Sequence, residues 1–334
     1  MSYRDFQQRV YSYLIKYKED VLKIKGKGIS NRGVEHDCLF PKPYCDAKIP
    51  VMLYENIKST VVDIQKSKFA YKPHLAASMH VASSQTACIN LFVPILESEY
   101  ADKILKVSGV APTGFDHVDR NQFRKGYCFE YWESSLEGSK GLLGDHSPHA
   151  GTDSDVAIAY RNFDNELCLW LIEHKLTERE FTTCGGYRSK GISKFEEANC
   201  TSCGIKELLN NHDKCYYHKH CGYYYWKNME RQYSFFSGKY VNDGCPFRGG
   251  MNQLWRNQLL ALELEDRRVF KEVYFSVVTH PENSFLDKTM NDYRQLTNNS
   301  SKFYDFKSNV LVDNAVAYLP DWSSWYKKVY FGFD

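Results

Sequence analysis

The feature that most constrains this chain is a pair of β-rich segments joined by a polar turn, GTDSDVAIAYRNFDNELCLWLIEHKLTE, beginning at Gly151. From Asp155 to Tyr160 the residues alternate: Val156, Ile158 and Tyr160 point one way, Asp155, Ala157 and Ala159 the other. Leu167 to Lys175 is again β-rich, and Asn162 to Asn165 supplies the turn between the two. Strand side chains repeat every two residues, so Glu173 and Lys175 share a face. A turn centred on Phe163–Asp164 sets Asp155 opposite Ile172, one place from Glu173. A carboxylate from one strand then lies beside a carboxylate and an ammonium from the next. Glu-x-Lys recurs by chance as a surface ion pair. Here it ends an apolar run, where an exposed pair is unexpected, and an acid stands at the matching hairpin position. The Asp…Glu-x-Lys set is therefore the predicted active site.

The rest of the chain supplies a frame. Residues 4–24 carry Phe6, Val10, Tyr13, Leu14, Tyr17 and Val21 at helical spacing. Arg9, Lys16, Lys18 and Lys23 form the opposite face, read as solvated, with a phosphate-contacting patch as the lesser alternative. Residues 29–50 read as an irregular connection and Leu53–Lys66 as a helix. HVASSQTACINLFVPIL, from His80, predicts a buried helix capped by Ser83 or Ser84 and ended or kinked by Pro94. Gln85 and Asn90 are expected to be hydrogen-bonded structural groups within it. Gly126–Trp132 reads as a strand, and 138–151 as a loop whose His146 and His149 stand just upstream of the site. Gly249–Glu265 is a helix offering Gln253, Arg256 and Asn257 from its first turns, and Val269–Thr279 a buried strand. The aromatic tail, 302–334, shows little periodicity and receives no assignment. Helix, three strands, helix, strand predicts an α/β fold with a mixed sheet.

Composition narrows the function. The 334 residues, 43% hydrophobic and 25% charged, suit one large domain or two small ones. A net charge of +2 gives no global basic field, so a nucleic-acid partner would need a local patch. No apolar run approaches the roughly 20 residues of a membrane helix. The N-terminus lacks the apolar core of a secretory signal, and the eleven cysteines are an odd number. A reducing, cytoplasmic setting is expected, with grouped cysteines serving a metal.

Two adjacent carboxylates attract a hard cation. Mg²⁺ keeps several waters, so one or two protein carboxylates suffice. Such an ion polarises a phosphoryl oxygen and acidifies a bound water. A neighbouring lysine can orient or deprotonate that water, or stabilise charge at phosphorus. Each part suits phosphodiester hydrolysis. At this point GTDSD…LCLWLIEHK resembles the PD-(D/E)xK nuclease superfamily, of restriction-endonuclease-like fold. HVASSQTACINLFVPIL, TDSDVAIAYRN, LWLIEHKLTE, GGMNQLWRNQLLALELE and VVTHPEN, in order over roughly 74–285, are similar to a bacterial restriction-endonuclease-like family.

The resemblance implies a Mg²⁺-dependent endonuclease acting on DNA, expected to be double-stranded, in restriction or defence, with a homodimer as one arrangement. It implies Asp155 and Glu173 as the metal-binding acids and Lys175 as the catalytic lysine, with Asp153 competing for the first role. Ser154 stands where the superfamily has proline. Gln253 and Arg256 match the helix that supports such sites, and Glu97 and Glu130 are the nearest candidates for the superfamily's additional acid. On this basis 1–72 is an N-terminal helical region and 73–334 the nuclease-like domain, with 184–245 as a cysteine-rich insertion. Two alternatives are a nucleic-acid-binding module that has lost cleavage and a zinc-stabilised interaction protein.

In the insertion, Cys200-Thr-Ser-Cys203 is a C-x-x-C pair, and Cys215 and Cys221 complete a compact tetrahedral Zn²⁺ set. Exchanging one of these for Cys184 or Cys245 makes an iron–sulfur cluster the alternative, which spacing does not separate from zinc. Tyr216, Tyr217 and Tyr223–Trp226 lie among Lys214, Lys219 and Lys227, a pattern that serves either a small core or contact with bases and phosphates.

Overall fold

The computed structural model describes residues 2–46, 48–133, 140–147, 151–188, 202–239 and 244–332. The chain opens on α1 (Tyr3–Asp20), whose N-cap Ser2 and N3 Asp5 bond each other's backbone reciprocally. Lys18 corrects the expectation of a solvated basic face. It is fully buried, and its ammonium donates to the carbonyls of Gly26 (2.8 Å) and Asp37 (2.6 Å). The loop that follows is thereby pinned beside the small hairpin β1 (Gly28–Ile29) and β2 (Glu35–His36). Next come α2 (Lys58–Lys66), α3 (Leu75–Met79), α4 (Ser84–Glu97) and α5 (Ala101–Ser108).

Two antiparallel neighbours of one long strand follow, β3 (Phe115–Val118) and β4 (Tyr127–Tyr131). That strand is β5 (Ser154–Asn162), which pairs antiparallel with β6 (Leu167–Lys175). The insertion contributes α6 (Gly185–Arg188), α7 (Ile205–Asn210), α8 (Tyr216–Cys221) and α9 (Tyr225–Arg231). Then α10 (Met251–Asp266) leads to β7 (Val273–Thr279), parallel to β6. The chain closes with α11 (Asp287–Leu296), β8 (Phe303–Lys307) parallel to β7, α12 (Ser308–Ala315), α13 (Pro320–Tyr326) and a π-helical turn, Lys327–Phe331. The main sheet is six-stranded and mixed, ordered β3-β5-β6-β7-β8 with β4 also on β5.

The period-two alternation of the central strands sorts the core into two layers. Val156, Ile158, Tyr160, Trp170 and Ile172 pack with α1, α4, α12 and α13. Ala157, Ala159, Leu169 and Leu171 pack with α10, α11 and the insertion. Ser83 caps α4, its hydroxyl accepting from the Thr86 N–H. Pro94 neither ends nor interrupts that helix, which runs on to Glu97. Proline lacks the N–H that would bond the Asn90 carbonyl four residues back. The indole of Trp322 donates to that carbonyl instead, at 2.8 Å. The Asn90 side chain bonds the Tyr54 N–H, the Met52 carbonyl and the Tyr330 hydroxyl. One buried asparagine thus ties α4 to the tail that the sequence left unassigned.

His280 is buried and His80 half-buried, and desolvation lowers each to about 4. His280 makes a ring-nitrogen hydrogen bond to the Tyr330 carbonyl at 2.7 Å. The unfolded chain takes up these protons near the ordinary value of 6.5, before the folded chain does. Their contribution to stability is therefore present above that value and lost as pH falls toward 4. Urea unfolding between pH 7 and 5 should show stability falling, with a shallower slope in His280→Gln by up to about 1.4 kcal/mol per pH unit. An unchanged slope would contradict the neutral, buried state of His280.

Candidate active site

The hairpin sets the geometry. Val156 pairs with Ile172 and Arg161 with Leu167, so the next position places Asp155 abreast of Glu173 rather than Ile172. The register differs by one from the expected turn because the loop is one residue longer. The Asn162 N–H bonds the Glu166 carbonyl, and the Asn162 side chain accepts from the N–H groups of Asp164 and Glu166. Asn165 takes φ 59°, the left-handed position of a three-residue hairpin loop. Asparagine tolerates that conformation better than most residues.

Each carboxylate is held from behind. Asp155 accepts the His174 N–H at 2.6 Å. Glu173 accepts from the Gln253 amide (2.7 Å) and the Lys175 ammonium (2.7 Å) on one oxygen, and from the Asn257 amide (2.9 Å) on the other. Gln253 and Asn257 stand one turn apart on α10, so a single helix fixes Glu173. Arg256 turns elsewhere, to the Thr152 hydroxyl (3.0 Å) and the Asn252 side chain (3.1 Å). His174 is buried and lowered to about 3 by burial and by Lys175, and the Ser84 hydroxyl lies 3.2 Å from its Nδ1.

The electrostatics are lopsided. Asp155 is raised well above the usual carboxylate range by burial and by Glu173 and Glu130, against Lys175 and the His174 N–H. Asp153 is raised to about 7 by burial, Glu130 and Glu173. Burial works to lower Lys175, but the charges of Glu173, Glu178 and Asp155 outweigh it and leave the ammonium firmly protonated. Glu130 lies between the pairs Phe129–Val156 and Tyr131–Ser154, abreast of Asp155 on its other side. Acids on three neighbouring strands thus meet at one end of the sheet. Glu130 takes φ 51° within a strand, a strained conformation of the kind that collects at functional sites. Gln85 donates to it at 2.8 Å, and the His74 ring is 3.4 Å away. The sequence offers Glu130 and Glu97 alike for the additional acid, because nothing in strand alternation marks a positive φ.

These groups line one cleft of about 1010 Å³, with Asp153, Asp155, Glu173 and Lys175 in its wall. Among the described residues no three Asp, Glu, His or Cys side chains form a ready-made metal cage. Two adjacent carboxylates still fit a Mg²⁺ ion that keeps its waters. The raised proton affinity of Asp155 marks a place where added positive charge would be stabilising.

Other expected residues are placed differently. Glu97 bonds Arg124, Lys125 and Tyr127 and stays out of the cleft wall. His146 reaches the cleft but stacks on Trp132, with ring centroids 3.6 Å apart, and bonds the Thr152 carbonyl. His149 and Cys200 lie outside the described residues. Cys203 and Cys215 are buried and Cys221 half-buried, none in a disulfide, and with no three-ligand group among the described residues they do not by themselves make the expected metal set.

A family model described as Restriction Endonuclease associating with ARP matches residues 16–331. The chain belongs to that family. The match takes in the whole sheet, the insertion and the tail, and makes this a restriction-endonuclease-like protein. No curated protein and no solved structure matches the chain. No helix among the described residues is long and apolar enough to cross a membrane.

The Lys175–Glu173 pair is buried, with side-chain exposures of 11% and 4%. Breaking a buried pair leaves an uncompensated charge. Lys175→Met should cost roughly 3 kcal/mol of unfolding free energy in urea titrations. Adding Glu173→Gln should recover part of that loss. Additive costs would contradict the coupling.

Proposed function

We propose that the chain is a Mg²⁺-dependent endonuclease of the PD-(D/E)xK class that hydrolyses phosphodiester bonds of DNA. The observation that carries this reading is Asp155 abreast of Glu173, with Lys175 bonded to Glu173 in the wall of the large cleft. Membership of a restriction-endonuclease-like family supports it. Asp155 and Glu173 would hold the ion, whose chemistry is to polarise a phosphoryl oxygen and acidify water. The His174 N–H keeps Asp155 oriented, and Gln253 and Asn257 do the same for Glu173. Lys175, bonded to Glu173, would orient the attacking water and stabilise charge gathering on the phosphate.

Incubation with supercoiled plasmid and with single-stranded DNA in Mg²⁺ tests the reading. Wild type should cut, and EDTA should stop it. Asp155→Ala and Lys175→Ala should each be slower by roughly 100-fold or more. Equal activity in Lys175→Ala and wild type would remove the catalytic assignment. DNA binding without any cut product would favour a module that has kept the fold and lost cleavage.

We also propose a structural metal in the insertion, with Cys200 completing Cys203, Cys215 and Cys221. Support comes from the burial of Cys203 and Cys215 within one apolar cluster and from Cys221 lying near Cys215. Elemental analysis should find zinc, or iron with visible absorption from a cluster. A pure, folded protein holding neither metal would contradict it.

A further inference from the structure

The cleft has a second set of groups that the hydrolysis of one bond does not use. Arg256 is largely buried, its side chain 14% exposed, and its guanidinium forms part of the cleft wall. Its nearest carboxylate, Asp145, stands 3.9 Å away. One Asp145 oxygen already accepts from the Thr152 hydroxyl (2.5 Å) and the Tyr225 hydroxyl (2.7 Å). The guanidinium is thus positioned by neutral groups, Thr152 and Asn252, and compensated only at a distance. A planar fork of N–H donors in that state suits a phosphate.

Three tyrosines stand beside it in the same wall. Tyr217, Tyr223 and Tyr225 pack in a triangle with ring centroids 5.2, 5.6 and 5.4 Å apart. Gly222 makes the arrangement, ending α8 at φ 71° so that the chain reverses and the Tyr223 N–H bonds the Tyr217 carbonyl at 3.0 Å. A residue with a Cβ is disfavoured at that φ. Tyr225 is buried against Trp255, whereas Tyr217 and Tyr223 remain half-exposed toward the cleft. A small core needs no cation among its rings and no opening onto the site. The electrostatic reach of Arg256 extends to all three tyrosines and to Asp153.

We propose that Arg256, Tyr217 and Tyr223 form a nucleotide subsite beside the acidic centre, in which the guanidinium takes a backbone phosphate and the tyrosines stack on an unpaired base. This rests on the nuclease reading and names its substrate class: single-stranded or locally unpaired DNA. A base within a duplex has both faces covered by its neighbours and offers none to a side chain, so the base must leave the stack. Stacking on aromatic rings next to a cationic groove serves unpaired strands of any sequence. The assignment departs from the double-stranded substrate expected from the resemblance.

The test uses the full chain, with Ca²⁺ in place of Mg²⁺, and a labelled strand of about 30 nucleotides alone or in its duplex. Fluorescence anisotropy should show the strand bound about 10-fold tighter than the duplex, with Tyr223→Ala losing most of that preference and Tyr223→Phe keeping it. Should Tyr223→Ala not fold, the wild-type comparison decides by itself. Equal binding of strand and duplex, with plasmid cleavage intact, would overturn the subsite and leave the nuclease reading standing. If neither form is bound or cut, the nuclease reading falls and the subsite with it.

Discussion

The pairing of β5 with β6 is the constraint on which everything else at the site depends. A shift of one residue would move every side chain of a strand to the other face. Val156, Ile158, Trp170 and Ile172 would then lose the α4 layer, and Asp155 and Glu173 would turn into it. The apolar residues and the acids therefore specify the same register. Asn162 and Asn165 fix it locally through a side-chain cap and a left-handed residue, while β7 holds the far side of β6 in parallel.

The register brings together groups that repel one another. Glu130, Asp155 and Glu173 sit on three neighbouring strands, with one ammonium, Lys175, paired to the last of them. Apart from that ammonium, the surroundings hold Asp155 and Glu173 in place without adding charge. Asp155 is gripped by a backbone N–H and Glu173 by two amides from α10, all neutral donors. The frame behind them is rigid in a traceable way. α4 lies across the sheet, its Pro94 gap closed by Trp322, and Asn90 binds it to Met52, Tyr54 and Tyr330. A tail distant in sequence thus supports the helix whose first turn holds His174 and Glu130, through Ser84 and Gln85.

Much of this was legible in the residues. The hairpin, α4, α10 and β7 declare themselves through period and composition, because each buries a wide apolar face. The register was read one place short, since loop length depends on how Asn162 folds back on its own backbone. Lys18 was read as surface because nothing local shows that the backbone at Gly26 and at Asp37–Leu39 will close over it. The strands β3 and β8 are four and five residues long, and each is specified by its neighbour rather than by its own pattern. Glu130 was visible as an acid but not as a strained one. Asn257 was seen on the right helix without its partner, since helical spacing gives the face and not the contact across to Glu173.

The central claim is that Asp155 and Glu173 hold one divalent cation at the end of the sheet. Anomalous diffraction from crystals of the protein soaked in Mn²⁺ measures this most directly. The account predicts a peak liganded by both carboxylates, which disappears in Asp155→Asn. A Mn²⁺ ion bound elsewhere in the cleft, or no ion with both carboxylates in place, would contradict it.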